Sequence, residues 1–250
     1  RRPVVLRGAA RELVGARHIG SSTYNALTIG AFTGKEIRVR VASTSRFTFC
    51  AESHQLVREG AFDATSRTFV VGGDEFARRL RIDGAAAEGP LAYGPRERAY
   101  LQSDVPRWLR ASWRMPEYWR AQGSLEVQRM RLWVSTAGAI SPLHFDAAPS
   151  FLAQLRGEKR IVFFPPSALP GLYMYPIDHP LNRRSRVSLY EPRGELFARF
   201  DSVAAPLATE VLLEEGDAVF FPQHWTHHVE TLSSLSVSVG CRVLPDGASR

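Results

Sequence analysis

Cysteine and lysine are scarce in this 250-residue chain, and long apolar runs are missing. Two cysteines, Cys50 and Cys241, cannot build a disulfide framework; they suit a reducing compartment, and a cytoplasmic location is expected. No run approaches the roughly 18 consecutive apolar residues of a membrane-spanning helix. The opening residues, Arg1 to Arg7, lack the apolar stretch of a signal peptide. Lysine occurs only at Lys35 and Lys159, so 30 of the 32 basic residues are arginine. A net charge of +7 permits a nucleic-acid partner, but the arginines are scattered apart from Arg183, Arg184 and Arg186. No basic stripe interleaved with aromatics is evident, so general surface charge is the preferred reading. With 44% apolar and 23% charged residues, the chain is neither disordered nor a coiled coil.

What is present is mostly β pattern. Short runs at Ile37–Val41, Phe47–Phe49 and Thr68–Val71 read as strands. From Val127 to Val134 the sequence alternates, placing Arg129, Arg131 and Trp133 on one side and Met130, Leu132 and Val134 on the other, toward a core. Helical signals are confined to the first half. Asp74–Leu80 has acids first and bases last, which suits the helix dipole, and Val105–Ser112 carries Pro106 near its start. After Ser141 strand follows strand. Phe151–Leu155 and Lys159–Phe164 read as a hairpin turned at Gly157, followed by Val211–Leu213, Ala218–Pro222 and an alternating Leu235–Val243 with Ser236, Ser238, Gly240 and Arg242 on the face away from the aliphatics. The expected fold is mainly β, a jelly roll with an α/β N-terminal elaboration.

Two clusters could carry chemistry. In His144-Phe145-Asp146 an imidazole and a carboxylate project from one strand face. In Phe221-Pro222-Gln223-His224-Trp225-Thr226-His227-His228, histidines follow a β-run and could supply a third ligand. Two histidines and one carboxylate suit non-haem Fe(II) and leave coordination positions open. Zinc would more usually take a third histidine or a cysteine. The plainer reading makes His144 a satisfied core histidine and His227 and His228 a rim pair. His18, His54 and His179 have no partners in sequence and are expected to be structural or exposed. Lys159 opens an apolar strand, where an ammonium is costly to bury unless it meets an anion. A dicarboxylate co-substrate would supply one; otherwise the side chain snorkels to solvent.

Ser141-Pro142-Leu143-His144-Phe145-Asp146, then Gln154 through Pro166, then Glu215 through Glu230, resemble the JmjC and cupin-like 2-oxoglutarate oxygenases. A further stretch, Leu172 through Val187, resembles the factor-inhibiting-HIF type of asparaginyl hydroxylase. The resemblance covers Tyr100 to Val243. It implies a double-stranded β-helix, with residues 1–99 as elaboration and 100–244 as catalytic core of a single 1–250 domain. It implies Fe(II), 2-oxoglutarate and O2 as cofactor and co-substrates. His144, Asp146 and His227 correspond to the metal ligands, with His228 behind them. Lys159, Tyr100 and Ser141 correspond to the residues that hold the distal carboxylate of 2-oxoglutarate. Arg183 and Arg184 fall in the substrate-contacting stretch, where Arg184 replaces a glutamine that recognises the target amide. Ser150 and Gly240 replace two asparagines of the co-substrate pocket.

The expected activity is therefore hydroxylation of an unactivated C–H bond, on an amino-acid side chain of a protein or peptide. Rival readings are an RNA nucleoside hydroxylase, which the positive charge permits, and a non-catalytic cupin binding module. Demethylation stays open, since no aromatic cage can be read from the sequence.

Overall fold

Period-two alternation in the second half of the chain builds two facing antiparallel sheets. The computed structural model describes residues 2–20, 23–24, 36–42, 44–50, 53–62, 66–80, 98–114, 125–191 and 194–245. Twelve strands are formed among the described residues: β1 (Val4–Leu6), β2 (Ile37–Ala42), β3 (Ser66–Val71), β4 (Arg98–Asp104), β5 (Leu125–Ser135), β6 (Ile140–Phe145), β7 (Ser150–Arg156), β8 (Lys159–Phe164), β9 (Thr209–Leu213), β10 (Ala218–Phe221), β11 (Thr226–Thr231) and β12 (Ser236–Pro245). The eight-stranded sheet runs β1-β10-β7-β12-β5-β4-β2-β3, and the four-stranded sheet runs β6-β11-β8-β9. Most steps from β5 to β12 carry the chain from one sheet to the other. That winding is the jelly roll expected from the sequence. The N-terminal strands β1 to β3 join the same large sheet as the later strands.

Each sheet has two buried faces, and the strand period sorts them. On β5 and β12, Leu132, Val134, Val237 and Val239 point outward into a core shared with Leu13, Phe76 and Leu109. Leu13 and Leu109 come from the short helices Ala9–Val14 and Arg107–Ser112, and Phe76 comes from Gly73–Leu80. On β8, Val162 and Phe164 face a second core with Leu172 and Phe200, while Ile161 and Phe163 pack between the sheets with Leu213 and Phe221. The inner faces of β5 and β12 carry Arg129, Arg131, Trp133, Ser238, Gly240 and Arg242, which line a cavity.

Three local expectations are corrected. Strands β7 and β8 are not a hairpin: β7 pairs with β10 and β12, whereas β8 pairs with β11 and β9. Gly157 turns the chain between sheets at φ 70°, and a Cβ there would lie 2.5 Å from the Leu235 carbonyl oxygen. Phe47–Phe49 forms no strand; it is held by one isolated bridge at Arg46 and by packing of both rings on Tyr100, at 5.0 and 6.1 Å. Helical turns are not confined to the first half either. Between β8 and β9 the chain makes the short helix Leu169–Leu172 and further turns at Glu195–Phe197, Phe200–Ala204 and Ala205–Leu207. These turns present Leu172, Phe200 and Ala204 to the outer face of the small sheet. Among the described residues no helix is long and apolar enough to cross a membrane.

Candidate functional site

All eight residues singled out in the sequence, Tyr100, Ser141, His144, Asp146, Lys159, Arg183, Arg184 and His227, line one cavity of about 380 Å³ between the sheets. His144 on β6 and His227 on β11 are direct register partners, with ring centroids 4.3 Å apart. His144 Nδ1 meets the Pro142 carbonyl at 2.8 Å, and His227 Nδ1 meets the Trp225 carbonyl at 3.0 Å. A carbonyl can only accept, so each Nδ1 carries a proton and Nε2 is the ring atom left to face a metal.

Burial pushes the His144 imidazole well below its ordinary pKa, and the neighbouring His227 adds to the effect. Asp146 follows β6 directly. Burial pushes its carboxyl up, but the two histidines and then Arg242 and Arg183 outweigh that and hold it below the usual carboxylate range. Arg242 Nη2 stands 3.6 Å from Asp146 Oδ1. The donors are thus two imidazoles, each with Nε2 free of a backbone partner among the described residues, and one carboxylate. Among the described residues no three His, Cys, Asp or Glu side chains already stand in coordinating geometry; what the chain supplies is the donor set.

Strict alternation would put Ser141 and His144, three residues apart, on opposite faces of β6. The ladder is irregular there: His227 pairs with His144 while Val229 pairs with Ser141, so two steps on β11 match three on β6. This bulge lets both side chains line the cavity. Ser141 then hydrogen-bonds the buried Tyr100 hydroxyl, an effect that opposes the larger one, burial, which holds that phenol at about 12.

Lys159 does not snorkel; it is only 2% exposed. Its Nζ donates to Ser135 Oγ at 3.2 Å and to Thr231 Oγ1 at 3.1 Å, and these two hydroxyls lie 2.7 Å apart. Among the described residues no carboxylate forms an ion pair with it. Burial pulls the ammonium down to about 7. Close by, Ser238 Oγ is buried without a hydrogen-bond partner and its side chain lines the same cavity. An orphaned hydroxyl and a cation with only neutral partners fit an anionic, oxygen-rich ligand.

The segment carrying the two arginines runs along the free edge of β6. Phe145 N–H donates to Arg183 O at 3.0 Å, Ser185 N–H donates to Leu143 O at 2.9 Å, and His144 and Arg184 form an isolated bridge. Among the described residues the Ser150 hydroxyl bonds locally, to Ala148 O at 3.3 Å. At Gly240 a Cβ would lie 2.7 Å from Trp133 Nε1. The indole therefore occupies the space that a larger side chain at position 240 would need. Trp133 and Ser238 were not singled out from sequence; alternation gave the side of the sheet for each but no role.

Of the other histidines, His224 lies beside the site, its backbone N–H donating to the Asp146 carbonyl at 3.2 Å and its ring 5.5 Å from that of Phe145; the rest lie apart. His228 points the opposite way from His227, and its Nε2 is 3.2 Å from the Tyr190 hydroxyl, which donates to Glu230 at 2.6 Å. His18 contacts Ser112 at 3.0 Å, His54 caps the turn Gln55–Arg58, and His179 stacks on Tyr175 at 4.4 Å. Both cysteines are free.

A jelly roll with two histidines, an aspartate and a buried lysine around its inner cavity defines a cupin-type site. Residues 1–241 match the model of the cupin-like domain, and the chain belongs to that family. It is similar to lysine-specific demethylase JMJ31 of Arabidopsis thaliana, 34% identical over 113 residues that cover 45% of this chain and 20% of that protein. It is 33% identical over 154 residues to lysine-specific demethylase JMJ30 of the same plant, covering 58% and 34%. It is also similar to human HSPB1-associated protein 1, 31% identical over 113 residues, covering 45% and 23%. The chain thus spans a fifth to a third of the length of these curated relatives. They support the wider JmjC and cupin superfamily and its oxygenase class; they do not single out the asparaginyl hydroxylases.

Proposed function

We propose that this chain is an Fe(II)- and 2-oxoglutarate-dependent dioxygenase that hydroxylates an amino-acid side chain in a protein or peptide. The observation that carries the reading is Lys159, a buried ammonium with only hydroxyl partners, facing the cavity that holds His144, Asp146 and His227. In this reading His144, Asp146 and His227 hold the metal through the two Nε2 atoms and the carboxylate. Together with 2-oxoglutarate and O2, a bound Fe(II) would supply the oxidising power for attack on a C–H bond.

The chain's own residues do the rest. The carbonyls of Pro142 and Trp225 fix the tautomer and aim of the two imidazoles. Lys159 takes the distal carboxylate of the co-substrate, with Tyr100, Ser141 and Ser238 as hydroxyl partners around it. Trp133, Phe163 and Phe221 line the same cavity with apolar surface and exclude water from it.

Hydroxylation is preferred over demethylation because six cationic side chains and one carboxylate line the cavity. A methyl-lysine ammonium would meet like charge there. The finer likeness to asparaginyl hydroxylases rests on the Leu172–Val187 stretch with Arg183, and Arg184 in place of glutamine points away from an amide target.

The test is mass spectrometry of peptide pools incubated with the iron-loaded chain, 2-oxoglutarate and O2. Gain of one oxygen atom with stoichiometric succinate supports the reading. Formaldehyde release from methylated peptides would replace it with demethylation, oxygen gain only on RNA would replace it with the nucleoside reaction, and no succinate with any substrate would leave a binding module.

A further inference from the structure

The charges at the mouth of the cavity are strongly one-sided. Arg129 and Arg242 are direct cross-strand partners of β5 and β12 on the cavity face. Like charges placed opposite one another destabilise a sheet. Arg131, two residues along, is neutralised by Asp104 at 2.5 Å, and Arg242 is partly neutralised by Asp146 at 3.6 Å. Arg129, Arg183 and Arg184 have no acidic side chain within ion-pair distance among the described residues. Arg184 is half-buried beside Arg183 and lines the same cavity.

Beside this mouth lies a second hollow of about 500 Å³, walled by Phe145, Leu169, Met174, Tyr175 and Ile177. It shares Phe145, Asn182 and Arg183 with the main cavity, so the two are neighbours with these residues between them. Ile177 is 91% exposed at its edge.

We propose that the substrate is an acidic peptide. A carboxylate side chain at or next to the target carbon is held by Arg129, Arg183 and Arg184, and a nearby apolar side chain of the same peptide seats in the hollow under Ile177. This rests on the oxygenase reading for what happens to the peptide, but not for its binding. A peptide fits better than RNA because the cations without an acidic partner among the described residues line one cavity and the surface beside them is apolar. A phosphate backbone would call for a track of cations along the surface.

The test is fluorescence anisotropy on the full chain with three labelled peptides of equal length. They carry Glu, Gln or Lys at the centre and a Leu two residues away; a single-stranded RNA of matched length is the fourth probe. The Glu peptide is expected to bind about tenfold or more tighter than the Gln peptide, as a charge-assisted hydrogen bond gives. That preference should vanish in an Arg129→Gln/Arg184→Gln variant and weaken when the Leu becomes Ser. In the ligand-free chain Arg129→Gln should raise the melting temperature by about 1–2 °C, because it relieves the Arg129–Arg242 repulsion. Equal affinity for the Glu and Gln peptides, or tighter binding of RNA than of the Glu peptide, would overturn the proposal. A parallel 2-oxoglutarate titration keeps the two readings apart. Charge-selective peptide binding without co-substrate binding would refute the oxygenase and leave the acidic-peptide site standing.

Discussion

His144 and His227 sit opposite one another on β6 and β11, and each turns its Nδ1 to the carbonyl of the residue two places earlier in the chain. The same local bond thus orients both rings, and in the proposed reading both Nε2 atoms are left for a metal. The carbonyls belong to the backbone, so this orientation does not depend on any other side chain. His144→Ala or His227→Ala should lower affinity for Fe(II) or Zn(II) by at least about 100-fold. Calorimetric titration with either metal reads this directly, and wild-type affinity in both variants would remove these residues from the metal site.

In the proposed reading, Lys159 gives the co-substrate site a pH dependence of known sign. Its folded pKa of about 7 lies below the ordinary 10.5, so the folded chain holds fewer protons than the unfolded chain between these values. Stability of the ligand-free protein should therefore rise with pH from about 7 to about 10.5 as far as this group is concerned. The ion pair needs the ammonium, so 2-oxoglutarate affinity should hold below pH 7 and fall by up to about tenfold per unit above it. The depressed pKa corresponds to a cost on the order of 4 kcal/mol at neutral pH. Lys159→Met should stabilise the ligand-free chain and abolish co-substrate binding. Melting curves and titrations across that pH range check both; a destabilised Lys159→Met with intact binding would count against the assignment.

Trp133 and Gly240 are complementary in size, with only 2.7 Å between the indole nitrogen and a Cβ at position 240. Gly240→Ala should cost about 1–3 kcal/mol through overpacking. Pairing it with Trp133→Ala should recover most of that loss, a coupling that a double-mutant cycle measures. Additive effects would mean that the two residues do not share this space.

Ser238 is the buried hydroxyl without a partner in the cavity. Ser238→Ala should leave the ligand-free chain as stable or slightly more so, and lower 2-oxoglutarate affinity by about 5- to 10-fold. Unchanged affinity would show that the hydroxyl does not reach the ligand.

Gly157 tests the fold rather than the site. A side chain there meets both a left-handed backbone and the Leu235 carbonyl at 2.5 Å. Gly157→Ala should destabilise by about 2–4 kcal/mol, a fall of roughly 5–10 °C in melting temperature. A hairpin turn, with room beside the glycine, would tolerate the change far better.

The alternation in β5 and β12 was legible because one face is aliphatic and the other is not, and a period of two leaves no third choice. Lys159 stood out because lysine is so rare here that its place at the head of an apolar strand could not be background. The path between strands was not legible. A glycine at the end of one apolar run and the start of another reads as a hairpin whether the chain returns to the same sheet or crosses to the other. The helical turns between β8 and β9 escaped notice because none is long enough to show a 3.6-residue period. Ser141 reaches the cavity only through a bulge, and its place came from resemblance rather than spacing. Trp133 and Ser238 were placed on the correct face, but a serine on a strand carries no mark of being orphaned, and the fit of an indole over a glycine depends on strands far apart in sequence.

The most direct test of the central claim is an anaerobic titration of the chain with Fe(II) and 2-oxoglutarate, followed by visible absorption. The account predicts a weak charge-transfer band of the metal chelate in the wild type, diminished in Lys159→Ala and absent in His227→Ala. Iron bound without any such band at saturating 2-oxoglutarate would contradict it.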